Sequence, residues 1–340
     1  MDEDRSVEIS VKGKWVRVPS VDVNGTQVII RGAWLKTASI HDEAWWEEEV
    51  ADPQPFLDAL RRDRKSADVF TFAQKVPGSQ PQHSFALEWD SIAAIHLSTF
   101  ERWWQKLPQE TRKNVRRSQK RGVEIKVKAF DESLIAGIED VNNDSAARQG
   151  ERNYYYRKGR DELRKDYSAF LDRSDFICAY AGEEMIGFLK LVYRGEVASI
   201  LNLTPKASHS DKRPANAMIA RAVELCEARG VSYLTYGMYN YGNKKDSPLR
   251  EFKARNGFEE ILTPRFYLPL TTWGQISFKL NLHRGILGVL PQSSITALLD
   301  ARSRWRRFMW QVKSRCSSML ERPNRNRQME RSNPPAGSRS

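Results

Sequence analysis

Little in these 340 residues suits a secreted, metal-binding or membrane-spanning protein. The three cysteines, Cys178, Cys226 and Cys316, are odd in number and far apart. They supply neither a disulfide framework nor a metal-ligand spacing. No apolar run approaches the ~18–20 residues that a membrane-spanning helix needs. The opening MDEDRSVEIS is acidic and polar, unlike a secretory signal. No internal repeat is visible, and neither a helix-turn-helix nor a zinc pattern offers sequence-specific reading of DNA. The expected home is a reducing cytoplasm.

What is present is a chain able to fold. It is 40% hydrophobic, enough for a sizeable core, and its length suits about two domains. The net charge of +12 is unevenly placed. Residues 273–340 hold 13 Lys/Arg and three Asp/Glu, a net +10, and residues 102–128 hold ten and two, a net +8. The rest is slightly acidic. Two basic segments on such a body attract phosphate-rich partners: a phosphorylated small molecule, nucleic acid or an anionic membrane surface.

The first hundred residues mix short strand-like runs (TQVII, VFTFAQKV, SFALEW) with the acidic stretch HDEAWWEEEV. Next, basic residues at 112, 113, 116, 117, 120 and 121 fall on one helical stripe that Gly122 ends, and Val123–Val127 alternates as a strand. The stripe is either a solvated helix face or an anion-binding edge. A helix is expected over about 133–148. The sequence NYYYRKGRDELRKDYSAFL begins as loop and continues as helix. FICAYA, MIGFLKLVY and VASILNL, separated by GEE and RGE, read as a three-strand antiparallel meander. Pro214–Arg229 reads as a helix with Met218, Ile219, Ala222, Leu225 and Cys226 on one face, stopped by Gly230. A strand, SYLTYGMY, follows. Then SPLREFKARNGF places Pro248 in a first helical turn, with Asp246 as its expected cap. Gly257 takes the left-handed position past the helix end, before a strand over 258–270.

Over residues ~100–270 this order, with LPQETRKNVRRSQKRGVEIKV, AARQGERNYYYRKG, PANAMIARAVELCEARGVSYLTYG and LREFKARNGF in succession, resembles the Fem-type branch of the GNAT acyltransferases. That branch includes aminoacyl transferases that build peptidoglycan bridges and related acetyltransferases. The resemblance implies an α/β (α+β) fold, a GNAT-like mixed sheet flanked by helices. It implies a diverged N-terminal GNAT-like unit over 1–100 and the acyltransferase domain over 101–270. Basic C-terminal helices over 271–320 would follow, then a tail over 321–340 that is disordered by composition.

The resemblance also implies chemistry. The acyl donor of GNAT proteins sits in a V between two splayed central strands, its pyrophosphate at the next helix N-terminus, where free N–H groups favour anions. Here that place is DKRPANA, which assigns donor binding to Lys212, Arg213, Asn216 and Ala217. The family's donor is acyl-CoA; its usual Gly-rich donor turn is replaced here by Pro214, Asn216 and Ala217, which leaves aminoacyl-tRNA or another acyl donor open as well. Lys253 matches the lysine that the relatives aim at charge developing on the acyl carbonyl. Tyr236 stands where a hydroxyl would orient substrate or pass a proton, with Tyr239 and Tyr241 as alternatives. Arg148 and Arg157 would grip a phosphorylated or carboxylate acceptor. Local alternatives are an ordinary helix cap, a Lys253 that snorkels over Phe252, and tyrosines that only pack. His209 lies in a polar loop without a visible carboxylate partner and is expected to be exposed.

The function so implied is acyl transfer, acetyl or aminoacyl, from a thioester or ester to an amine, without metal, in cell-envelope or polysaccharide biosynthesis. The acceptor would be phosphorylated or sugar-linked. The alternative is a nucleic-acid- or membrane-binding protein on a catalytically degenerate GNAT scaffold, with nucleic acid the less favoured partner. Arg302, Arg306, Met309 and Lys313 fall near one helical stripe and Trp305, Phe308, Val312 and Met319 on another; the apolar stripe either packs on the GNAT-like domain or suits an interfacial helix, which would make the location membrane-peripheral.

Overall fold

The meander is formed as its turns dictate, and a long sheet is built around it. The computed structural model describes residues 6–43, 49–63, 67–148, 151–240 and 247–284. In chain order the elements are β1 (Ser6–Val11), β2 (Lys14–Val23), β3 (Thr26–Arg31), β4 (Thr37–Ile40), α1 (Gln54–Arg62), β5 (Val69–Ala73) and β6 (Ala86–His96). Next come α2 (Phe100–Lys106), α3 (Gln109–Lys120), β7 (Val123–Lys128), α4 (Glu132–Asn143), β8 (Ala147–Arg148), β9 (Glu151–Arg152) and α5 (Arg160–Tyr167). The meander β10 (Ser174–Ala181), β11 (Glu184–Arg194) and β12 (Val197–Pro205) follows. The last elements are α6 (Pro214–Ala228), β13 (Tyr233–Met238), α7 (Pro248–Arg255), β14 (Glu259–Pro269) and α8 (Thr272–Lys279).

By contacts the chain divides into one unit over Met1–Gln275 and a second over Ile276–Ser340. The first unit holds a mixed sheet of twelve strands in the order β1-β2-β3-β4-β5-β14-β6-β13-β12-β11-β10-β7. Strand β6 comes from the first hundred residues, yet it is inserted between β13 and β14 and pairs antiparallel with both. Three cores hold the unit together. One packs α2, α3 and α6 against the meander, with Met218, Ile219, Ala222 and Cys226 all buried on the expected face of α6. Leu225 packs on its margin. A second joins α1 to β5 and β14 through Phe56, Phe70, Phe72 and Phe266. The third seats α4 and α5 on Phe176, Cys178 and Phe188. Each such side chain removed from water stabilises the fold by about 1.5–3 kcal/mol.

Local signals explain most ends. Gly257 has φ +86°, the left-handed cap expected, and a Cβ there would lie 2.9 Å from the Trp103 indole nitrogen. Ser247, not Asp246, caps α7, its hydroxyl accepting from the Arg250 N–H at 3.1 Å. Asp246 lies outside the described residues, as does Tyr241. Helix α4 ends at Asn143, five residues before the expected end. Asp144 just beyond it turns its carboxylate to the Ala207 and Ser208 N–H groups, which competes with continued helix. Residues 285–340, with their expected interfacial helix and tail, also lie outside the described residues.

Candidate active site

Two strand irregularities open the sheet at one point. The parallel pairing of β12 with β13 covers only Val197–Tyr233, Ala198–Leu234 and Ser199–Thr235. Just past it, the β11–β12 register shifts between Lys190 and Leu191, leaving Leu201 as the extra residue of a bulge. On the other side, the β13–β6 register shifts between Thr235 and Met238. The Ser199 and Thr235 hydroxyls, 2.5 Å apart, mark the fork. Beyond it β12 continues to Pro205 on β11 alone, so the two strands part as a V.

Lys253 stands at this V. Helix α7 carries it inward until the side chain is wholly buried. Its Nζ donates to the carbonyl oxygens of Tyr236 at 2.6 Å and Met238 at 2.7 Å and sits 4.5 Å from the Tyr236 ring centroid. The ammonium thus pairs with two carbonyls at the irregular end of β13. It does not snorkel over Phe252 toward water. Burial pushes its pKa down to about 8.

The start of α6 is tied to the same place from inside. Asn216 Nδ2 donates to Asn256 Oδ1 at 2.9 Å, in the buried turn that ends α7. The Asn256 carbonyl in turn accepts from the Trp103 indole at 3.2 Å, and the Arg255 carbonyl accepts from the Thr111 hydroxyl at 2.9 Å. Asn216 and Ala217 are buried; the Asn216 amide is therefore turned to α7, and the exposed charge is that of Arg213. Arg213 caps α6 in the left-handed conformation, φ +55°. Lys212 precedes it, half-buried. From the basic stripe of α3, Arg121 binds both the backbone oxygen and the carboxylate of Asp211, at 2.9 and 2.6 Å. The end of the α3 stripe is thereby tied to the loop that leads into α6.

Arg148 and Arg157 sit in the α4–α5 connection. Arg148 Nη2 donates to the Val141 carbonyl at 2.8 Å, and burial lowers its pKa. Arg157, exposed and left-handed at φ +60°, stacks over Tyr156 at 5.3 Å, while its N–H donates to Asn143 Oδ1 at 2.7 Å. Tyr239 is buried beneath Arg250, its N–H bonded to the Ser91 carbonyl. His209 is only partly exposed: its Nδ1 is 3.1 Å from the Ser208 hydroxyl and its Nε2 is 3.4 Å from the Glu184 carboxylate. The β11 hairpin supplies that carboxylate, a partner distant in sequence.

Sequence reasoning passed over two features. The first is the node at Asp166 on α5. It accepts from Lys158 Nζ at 2.5 Å and from the Trp15 indole of the β1–β2 hairpin at 2.8 Å, with Lys158 8% and Asp166 2% exposed. Lys165 lies over the Trp15 ring and bonds Glu8, and Gly13 packs against Tyr154. The hairpin at one edge of the sheet is thereby clasped to the connection that carries Arg148 and Arg157. The second is Lys190, wholly buried in β11 and donating to the carbonyl oxygens of Tyr167 (2.7 Å) and Ala169. A lysine inside MIGFLKLVY was its signal.

Burial also lowers Lys190 and Lys75 to about 8. An unfolded lysine keeps its proton to about 10.4. Between these limits the unfolded chain holds more protons, so stability rises with pH. The buried thiols of Cys178 and Cys226 are raised to about 12 and act oppositely once an unfolded thiol ionises, above about 8.5. The expected result is a gain in urea midpoint as pH rises from about 8 to 9, flattening above that. Melts across this range check it, and a midpoint falling over that unit of pH would contradict it.

Among the described residues no cluster of three or more His, Cys, Asp or Glu side chains could hold a metal ion, and no helix is long and apolar enough to cross a membrane. Residues 109–253 match the family model of the acetyltransferase (GNAT) domain. A comparison with curated protein sequences finds no match. Solved structures share the fold at low identity. FemX is 12% identical with a TM-score of 0.53, over 81% of this chain and 89% of that one. The C-terminal domain of a putative lysylphosphatidylglycerol synthetase from Agrobacterium fabrum is 11% identical with a TM-score of 0.51, over 78% and 87%. L-PGS from Bacillus licheniformis is 11% identical with a TM-score of 0.50, over 74% and 83%. Across 109–253 the chain matches the acetyltransferase (GNAT) domain, and by enzyme class it is an N-acyltransferase.

Proposed function

We propose that the V between β12 and β13 holds an acyl donor, acyl-CoA or aminoacyl-tRNA, and that its acyl group passes to an amine on a cell-envelope or polysaccharide precursor. The observation that carries this reading is the buried Lys253 ammonium at the fork, bonded to the carbonyls of Tyr236 and Met238. A neutral amine attacks the thioester or ester carbon, and the charge that builds on the acyl oxygen faces the field of this cation in a site shielded from water. The carbon–sulfur or carbon–oxygen bond then breaks. The leaving thiolate or alkoxide takes up the proton the amine gives up, directly or through the Tyr236 hydroxyl or water. Donor phosphates meet the start of α6 at the Lys212 and Arg213 side chains and the backbone of the first turn at Asn216 and Ala217, whose side chains are turned inward. Arg157 and Arg148 face the acceptor. In this reading the first hundred residues are a diverged second GNAT-like unit that lends β6 to the sheet of the 101–270 unit. FemX and the two synthetases share this fold, which supports an envelope acceptor, lipid- or peptide-linked.

A thermal-shift panel of acyl-CoA thioesters and charged tRNAs tests the donor. Arg213→Glu reverses charge at the exposed cap of α6. It should weaken the donor found by about tenfold, in the range set by one to two interactions at a helix end, and leave acceptor affinity unchanged. Equal donor affinity in variant and wild type would place the phosphates elsewhere.

A further inference from the structure

The β3–β4 connection and the first turn of α8 carry two tryptophans that the acyl-transfer site does not use. Trp34, in the connection from β3 to β4, is 52% exposed, and Trp273, in the first turn of α8, is 41% exposed. They meet edge to face at 6.2 Å, and the Trp273 indole N–H donates to the Trp34 carbonyl at 2.9 Å. Both are held rigidly. Gly32 has φ +112°, and a Cβ on it would lie 2.0 Å from the Leu35 carbonyl oxygen. That tight turn buries Leu35 and turns Trp34 out. A Cβ on Gly274 would lie 2.0 Å from the Asp68 carbonyl oxygen. Thr271 bonds the Asp68 carboxylate and caps the Gly274 N–H, so the start of α8 is pinned. Arg31 and Lys36 flank Trp34 and are exposed. In sequence, Ile276 and Leu280 follow Trp273 at i+3 and i+7, exposed at 44% and 56%. The net +10 of residues 273–340 begins at this helix.

We infer that the Trp34–Trp273 pair, with Arg31 and Lys36, docks the enzyme on an anionic lipid surface. Indoles prefer the headgroup boundary, where the ring is half-dry and the N–H stays satisfied. The bond between them and the crowded backbone at Gly32 and Gly274 hold the pair in place, which lowers the ordering cost of docking. Cations beside them, Arg31 and Lys36, match an anionic leaflet. This goes beyond the acyl-transfer reading, and vesicle binding needs no donor or acceptor, so either can fail without the other.

The test is sedimentation of the full chain with phosphatidylcholine vesicles, with and without phosphatidylglycerol. Wild type should pellet only with the anionic vesicles. Trp34→Ala/Trp273→Ala should lower partitioning at least about tenfold at unchanged salt and an unchanged circular dichroism melt. Arg31→Glu/Lys36→Glu, which spares the rings, should lower it roughly 30-fold or more, at about a factor of five per cation lost; it decides the matter if the double alanine unfolds. Absence of wild-type binding overturns the inference. So does binding that ignores both double variants, which would assign the surface to other residues. So does a change of self-association in sedimentation velocity with vesicle binding intact, which would assign the pair to a second copy.

Discussion

Lys253→Met should lower turnover with a verified donor and acceptor by about 10²–10³-fold, the range seen when a group stabilising an oxyanion is removed. Methionine keeps most of the buried volume, so loss of the charge and its bonds dominates the effect. Lys253→Ala should cost stability as well. It opens a cavity and leaves the Tyr236 and Met238 carbonyls unpaired, each at about 1–3 kcal/mol. Both variants remove the donor to these carbonyls and alanine adds the cavity, so the two measurements separate the roles: urea midpoints report packing and the carbonyls, and single-turnover rates of folded protein report the cation. Because the Lys253 pKa lies at about 8, wild-type turnover should also fall as pH rises through that value, and Lys253→Arg should remove the fall. A methionine variant at near wild-type rate would reduce Lys253 to a structural tie.

Asp166→Ala should be the most destabilising single change outside the V. It strands Lys158 in a buried place and releases the Trp15 indole, and breaking a buried pair by removing one partner costs about 3–5 kcal/mol. Replacing both partners, Lys158→Met with Asp166→Leu, should recover much of that loss, since no charge is then left buried. Trp15→Phe should cost far less, about 0.5–1.5 kcal/mol for one hydrogen bond, yet still loosen the β1–β2 hairpin. Hydrogen exchange in residues 6–19 reads that loosening. A loss below about 1 kcal/mol for Asp166→Ala would mean that the ion pair is exposed to water in solution.

What was legible in the sequence follows from periodicity. The meander, α6 and α7 each carry their signal within a dozen residues: short turns, an apolar face, a left-handed glycine. The V was not legible by that route, because it arises from a bulge at Leu201 and a register shift in β13 that only pairing reveals. Lys253 was marked by resemblance. That its nitrogen is buried on two carbonyls follows from α7 packing over the end of β13 and leaves no trace in REFKAR. The node at Asp166 was hidden for a plainer reason. On α5, RDELRKDY reads as a solvated face, and the partner that buries Asp166 is Trp15, 151 positions away. Strand β6 likewise gave no sign that it would enter the sheet between β13 and β14.

In the proposed reading a donor lies in the V with its phosphates on α6. Hydrogen exchange of the full chain, with and without the donor found in the thermal-shift panel, tests it most directly. The unpaired edge of β12 over residues 200–205 and the first turn of α6 over residues 215–217 should slow together on donor addition, while the β1–β2 hairpin stays unchanged. Donor binding that leaves both segments exchanging at their free rates would contradict the account.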